Sequence, residues 1–271
     1  MSSGVNAGIL RAHRDGILTN ASLMVNGAAF DDAVAMARRH PELAVGLHLV
    51  LVQGRAAAAP RSIPALVDAD GHFSTNPILS GVRYFFQPGV RSQLRTEIRA
   101  QLQKFADTGL RLSHVDGHLN IHMHPAVLPM LLEVADEFGI RAMRLARESL
   151  RRALRFDRKH VVRKSFEALA FAALGRFAEA RLRDRSIAYP RTMYGLHQTG
   201  HISEAYLLHT LAEFPEGLSE IYCHAAEVDE EARRWRPEDY DSAGEVDALT
   251  SDRVRAALAA QNIELTSYLD C

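Results

Sequence analysis

Ser113-His-Val-Asp-Gly-His-Leu-Asn-Ile-His-Met-His124 decides the reading of this chain, because it gathers His114, Asp116, His118, His122 and His124 into twelve residues. Such a concentration suits a metal site or acid/base chemistry. An amphipathic helical pattern (91–108) and a Gly109 stop precede it, and residues 110–115 read as a short strand. Pro125 sits where the first turn of a following helix, 126–138, would begin. The cluster therefore falls at the C-terminal end of a strand, in the loop feeding a helix, where α/β proteins place their chemistry. If the strand runs on through the motif, His114, Asp116 and His118 share one face, since residues two apart do. Imidazole nitrogen beside carboxylate oxygen suits zinc, and magnesium fits if waters complete the shell.

Outward from the cluster, helical and extended patterns alternate. Residues 5–15 read as a helix stopped at Gly16, 19–25 as a strand, 30–39 as a helix and 44–52 as a strand apolar enough to be buried on both faces. A long Pro-containing connection, 56–89, carries a turn at Asp68-Ala-Asp-Gly71 and has the length of a functional lid or excursion. Beyond the cluster come Gly139 as a helix cap, a strand at 140–145 ending near Arg144, and a helical insertion around 150–185. A loop at 194–200, a helix at 203–214, a strand at 217–224, and a last helix and strand at 252–261 and 263–268 complete the order. Repeated βα alternation predicts a mostly parallel sheet in one domain spanning 1–271, closed or nearly closed into a (β/α) barrel.

Two further histidines sit on predicted strands. His48 interrupts the apolar run Val45-Gly-Leu-His-Leu-Val50, and His224 ends Glu220-Ile-Tyr-Cys-His224. Read alone, His48 is a hydrogen-bonded core residue or a ligand, and His224 an acid/base group or a surface residue before a loop.

Composition limits the alternatives. With 32 basic and 33 acidic residues the chain carries a net charge of −1, so a nucleic-acid partner is not expected. Basic residues concentrate between Arg147 and Arg185, as a solvated helix face or as a surface for phosphate or anionic membrane. Two cysteines provide neither a disulfide framework nor a thiolate zinc site, and a cytoplasmic location is the expectation. No apolar run approaches the ~20 residues of a membrane span. Phosphate loops, nucleophile elbows and dinucleotide fingerprints are not found.

Taken together, Gly4-Val-Asn-Ala-Gly-Ile-Leu10, the segment 16–26, Val45-Gly-Leu-His-Leu49, His114-Val-Asp-Gly-His118 with His122, and Glu220-Ile-Tyr-Cys-His224 resemble the YdjC-like carbohydrate deacetylases. The run Asp-Gly-His-Leu-Asn-Ile-His-Met-His-Pro resembles the branch associated with hopanoid biosynthesis. The resemblance implies a (β/α)-barrel-like fold and metal-dependent removal of an acetyl group from an N-acetylated sugar. It implies His48 and His118 as ligands of a divalent metal ion, Mg or Zn, with Asp116, His122 and His224 as catalytic residues. In that branch the substrate is an N-acetylglucosamine-type headgroup on a hopanoid lipid, which brings the enzyme to a membrane surface without spanning it; a homodimer is also an expectation. One departure stands out. Family members carry an Ala-Asp-Asp-Phe-Gly segment, with a metal ligand and a base, before the residues matching Ser3-Gly-Val-Asn6, and this chain starts at Met1 without it. The expectation is a start lying further upstream or a non-catalytic relative that binds the sugar, with the first barrel strand missing and sheet edges unpaired.

Overall fold

The computed structural model describes residues 2–235 and 237–271. Its helices and strands in chain order are α1 (Ser3–Arg14), β1 (Asn20–Leu23), α2 (Phe30–Arg39), β2 (Ala44–Leu49), α3 (Pro77–Phe86), α4 (Pro88–Ala106) and β3 (Val115–Gly117). There follow α5 (Leu128–Glu133), α6 (Ala135–Phe138), α7 (Leu150–Phe156), α8 (Val161–Asp184), β4 (Thr192–Tyr194), α9 (Glu204–Leu211) and β5 (Ser219–Ile221). The last three are α10 (Glu230–Trp235), α11 (Ser242–Leu249) and α12 (Asp252–Ala260).

The strands run parallel in chain order. β1 pairs with β2 and β2 with β3, so that Ser22 lies opposite Gly46 and His48 opposite Asp116. Single bridges continue the order, Val115 to Met143 and Ala142 to Ala188, and β4 pairs with β5. The expected closure is corrected here. Among the described residues β1 has no strand partner besides β2 and β5 none besides β4, so the ladder stays open on one side. A barrel requires hydrogen-bonded neighbours all the way round. Residues 263–268, expected as a strand, cross this open side without joining a ladder, although the Tyr268 backbone N–H donates to Asn20 Oδ1 at 3.1 Å.

One apolar core joins β2, β3, α4 and α5 around Leu47, Leu49, Leu94, Leu102, Val115 and Leu131. A second joins α1, α9, α11 and α12 around Ala12, Leu207, Leu211, Val246 and Val254. Local rules account for the helix ends. α2 opens with Asp31 and Asp32 and closes with Arg38 and Arg39, the charge order that the helix dipole favours. Gly139, at φ +67°, caps α6 in the left-handed region.

The long connection after β2 is not loose. The fully buried Glu97 of α4 accepts from the N–H groups of Ala57 and Ala58 at 2.8 and 2.9 Å, and Gln101 both donates to and accepts from the Val50 backbone. Within it lies α3, which the sequence reading passed over. Tyr84 anchors this helix by donating its hydroxyl hydrogen to the Leu51 carbonyl at 2.6 Å.

Candidate functional site

Pairing of β2 with β3 brings the quoted motif to the ends of the strands. Extended pairing begins at Ser113, whose N–H donates to Val45 O, and the strand ends at Gly117, so it lies about two residues later than the sequence suggested. His114 and Asp116 do share a face, because both reach the Ser22 hydroxyl, at 3.0 Å each. His118 does not continue that face. It starts a 3-10 turn over 118–123 in which Leu119 and Asn120 take left-handed φ of 51° and 57°. The turn carries the His118 ring to 5.8 Å from that of His48, edge to face.

Asp116 is the electrostatic centre. Its side chain is 0% exposed, accepts from His48 Nδ1 at 2.7 Å and from Ser22, and is ion-paired with Arg144. Burial pushes its carboxyl up, but the Arg144 guanidinium and His48 oppose this and hold it well below the usual carboxylate range. Arg144 in turn donates from Nε and Nη2 to Glu220 Oε1 at 2.9 and 2.7 Å, and lies 5.0 Å from the centre of the Tyr222 ring. Glu220 Oε2 accepts from the Tyr268 hydroxyl at 2.8 Å, and the Tyr268 ring stacks on His114 at 4.2 Å. A charge-paired ladder thus runs from Tyr268 through Glu220, Arg144 and Asp116 to His48.

Proton positions follow from these partners. A carboxylate can only accept, so His48 Nδ1 carries hydrogen, and in the neutral tautomer this leaves the lone pair on Nε2. The Ser22 hydroxyl spends its hydrogen on Asp116, so His114 Nε2 donates to Ser22 while its Nδ1 accepts from Ser113 at 2.8 Å. Burial lowers the His114 pKa to about 4, which keeps that ring neutral. Gly46 makes this packing possible, since a Cβ there would lie 2.5 Å from the His114 ring.

His118 is lowered to about 4 by burial and by neighbouring His48, and its Nε2 meets Gln53 Oε1 at 3.3 Å. His224 is lowered to about 3 by burial. Its Nε2 shares a 2.7 Å hydrogen bond with the Tyr222 hydroxyl, while its Nδ1 is buried without a partner. His122 lies behind the site: 1% exposed, it donates from Nε2 to the Arg144 carbonyl at 2.9 Å, and burial lowers it to about 4. His124 sits under α3, its ring 6.4 Å from those of Tyr84 and Phe85. The structure therefore brings His48, Asp116, His118 and His224 to one cavity of about 2450 Å³, and sets His122 against the backbone of Arg144. Sequence reasoning saw Ser22, Glu220 and Tyr268 only as members of the segments 16–26, 217–224 and 263–268. Their polar atoms within apolar strand patterns were the available signal.

The fit to a metal ion is partial. Two imidazoles sharing an ion at ~2 Å from each nitrogen have ring centres roughly 5–6 Å apart, and the 5.8 Å between His48 and His118 agrees. The His48–Asp116 hydrogen bond is also the outer contact that metal-bound histidines make. Among the described residues, no three His, Cys, Asp or Glu side chains stand close enough to hold an ion. The spacing of the pair is that of two ligands, and the described residues supply no third.

Parallel strands in chain order, with a histidine- and aspartate-lined cavity at their C-terminal ends, define an α/β protein of the enzyme-like kind. The chain belongs to the YdjC-like protein family, whose model matches residues 1–260. It is 41% identical over 141 residues to a carbohydrate deacetylase of Brevibacillus brevis, covering 51% of this chain and 53% of that one. It is 40% identical to a carbohydrate deacetylase of Geobacillus stearothermophilus, over 54% and 57% of the two chains. In these matches the chain spans about half the length of the curated relatives. A chitooligosaccharide deacetylase of Citrobacter koseri is 30% identical over 100% of this chain and 94% of its own. A crystal structure from Enterococcus faecalis V583, named as a cellobiose-phosphate cleavage protein, superposes with TM-score 0.77 at 26% identity, over 99% and 94% of the chains. Relatives named as enzymes do not favour the expectation of a non-catalytic sugar binder. No described helix is long and apolar enough to cross a membrane.

Proposed function

We propose that the protein is a carbohydrate deacetylase that hydrolyses the N-acetyl amide of an acylated sugar, in one domain bearing the α7–α8 insertion. The observation that carries this reading is the convergence of His48, Asp116, His118 and His224 on one cavity, with Asp116 fixing the tautomer of His48. His48 and His118 would hold a divalent ion, Mg or Zn. Such an ion, when bound, draws electron density from an amide carbonyl and makes a coordinated water more acidic.

The remaining roles belong to the chain itself. Asp116, held ionised at neutral pH beside Arg144, keeps hydrogen on His48 Nδ1, and in the neutral ring Nε2 is then free to ligate. His224 is held neutral by burial and lines the cavity, and its role is to receive the proton that the attacking water gives up and pass it to the leaving nitrogen. His122, expected as catalytic, lies outside the cavity wall and acts by positioning Arg144 through its backbone carbonyl. A cavity of about 2450 Å³ exceeds the ~300–1000 Å³ of a pocket for one small molecule, which suits an oligosaccharide or a sugar carried on a larger aglycone. The particular substrate we propose is an N-acetylglucosamine-type headgroup on a hopanoid lipid, supported by the wording of residues 116–125.

The test is acetate release from N-acetylglucosamine oligomers and from the acylated glycolipid, before and after chelation and after readdition of zinc or magnesium. Loss of an outer partner of a metal ligand costs ~10–100-fold, so His48→Ala and His118→Ala should lose more. Release that survives both chelation and His48→Ala would refute the assignment.

A further inference from the structure

We infer that the rim of the cavity is a docking surface for an anionic lipid bilayer, with α3 and the start of α8 as the two inserted elements. The inference deepens the deacetylase reading, on which it rests only for identifying the mouth. Among the described residues eleven large apolar side chains are exposed, and ten belong to three elements beside the cavity. α3 contributes Ile78, Leu79, Val82, Phe85 and Phe86, with Ile78 at 79% and Phe86 at 71% exposure. The 118–123 turn contributes Leu119, and α8 contributes Val161, Val162, Phe166 and Leu169. Apolar residues scattered singly over a surface need no explanation, but a contiguous set marks an interaction site.

α3 is built with its polar side inward. Its buried residues are Ser80 and Tyr84, while Ile78, Val82 and Phe85, at helical spacing, face out. On α8, Val162, Phe166 and Leu169 repeat that spacing at up to 72% exposure. Both helices begin at the cavity wall, which includes Pro77 and Ile78 from one and His160 and Arg163 from the other. The 118–123 turn lies at the same mouth with Leu119 in the wall, and α3 packs on His124 just beyond it.

Charge selects the occupant. Residues 71–96 contain no acidic side chain and carry Arg83, Arg91 and Arg95, the last paired with Glu133 at 2.8 Å. Residues 149–164 hold seven lysines and arginines; Lys164 is buried and paired with Asp157 at 2.8 Å, Arg155 is paired with Glu213 and Arg163 with Glu167, while Arg151, Arg152, Arg158 and Lys159 have no carboxylate partner among the described residues. In a chain of net charge −1 this concentrates positive charge in the segments that also bear the apolar residues. Apolar side chains interleaved with basic ones are the composition of a helix lying in an anionic lipid interface. The two stripes belong to separate helices that each begin at the cavity wall. A bilayer can receive both and present a membrane-held sugar between them, whereas a protein pressed onto the rim would cap the cavity.

The experiment is sedimentation of the full chain with vesicles of phosphatidylcholine alone or with phosphatidylglycerol at about one third of the lipid. Expected is binding at least tenfold tighter to the anionic vesicles, weakened by salt. Leu79→Ser with Phe86→Ser, or Val162→Ser with Phe166→Ser, should cut that binding at least tenfold while leaving turnover of a water-soluble acetylated sugar unchanged. These side chains are exposed, and circular dichroism checks that the fold persists. No binding to anionic vesicles at low salt, or binding indifferent to both double substitutions, overturns the inference. So does a lipid-free dimer, seen by sedimentation velocity, that the same substitutions dissociate, because the patch would then be an interface between copies. Vesicle binding without turnover of any acetylated sugar would sink the deacetylase reading and leave the docking surface standing.

Discussion

Replacing Arg144 with methionine removes the guanidinium that bridges two buried carboxylates. Asp116 is 0% and Glu220 14% exposed, and Arg144, itself 11% exposed, bridges them. A methionine fills comparable volume, so packing is largely kept and the loss is electrostatic. Removing one partner of a buried ion pair costs ~3–5 kcal/mol, because the other charge stays desolvated. At ~2–4 °C per kcal/mol for a chain of this size, the melting temperature should fall by roughly 6–20 °C. The sign of the pH effect follows as well. Asp116 is held well below its unfolded pKa, so its stabilisation is present above that pKa and is lost as pH falls through the folded one. Without Arg144, burial is opposed only by the histidines and Ser22, the folded pKa rises, and the acid loss moves to higher pH. Urea unfolding of wild type, Arg144→Met, Glu220→Gln and the double variant measures both terms. The double variant should lose less than the sum of the singles, since Glu220→Gln relieves one orphaned charge. A loss below ~1 kcal/mol for Arg144→Met, with strictly additive singles, would refute the ladder as a charge-balanced unit.

Two other outcomes are expected. Gly46→Ala puts a Cβ 2.5 Å from the His114 ring and 2.6 Å from its carbonyl oxygen, so overpacking of ~1–3 kcal/mol should appear in thermal melts together with reduced acetate release; a neutral effect would mean the strands part easily there. His114 and His122 are lowered to about 4 and His224 to about 3, all below the unfolded value near 6.5, so these rings gain protons on unfolding between those limits. Stability should fall as pH drops from about 6.5 toward 4, with up to three protons taken up by these residues, and a flat urea stability profile over that range would contradict their burial as neutral rings.

Much of this was written locally. The bounds of α2 coincide with the periodic segment 30–39, and β2 with the front of the apolar run 44–52, because charge order and apolar density are properties of neighbouring residues. His48 and the 113–124 motif stood out as polar groups in or beside such runs. What failed depended on distant partners. α3 escaped because its apolar residues face away from the core, so its pattern does not report burial. The helix expected over 126–138 breaks at Val134, and the strand expected over 140–145 shrinks to bridges at Ala142 and Met143. Tyr268 joins the site across 48 residues to Glu220 and 248 to Asn20, separations that no local pattern encodes.

Leu119 and Asn120 bring a different consequence. Left-handed backbone costs an ordinary residue such as Leu119 ~1–2 kcal/mol and asparagine less, and here Leu119 and Asn120 adopt it in succession, φ 51° and 57°, to swing His118 toward His48. Glycine at either position would relieve that cost while loosening the turn that aims the imidazole. A selection for heat resistance alone would therefore drift toward glycine at 119 and 120 and accumulate variants that survive heating with a misdirected ligand. Any breeding of this protein for robustness needs an activity readout alongside the heat challenge.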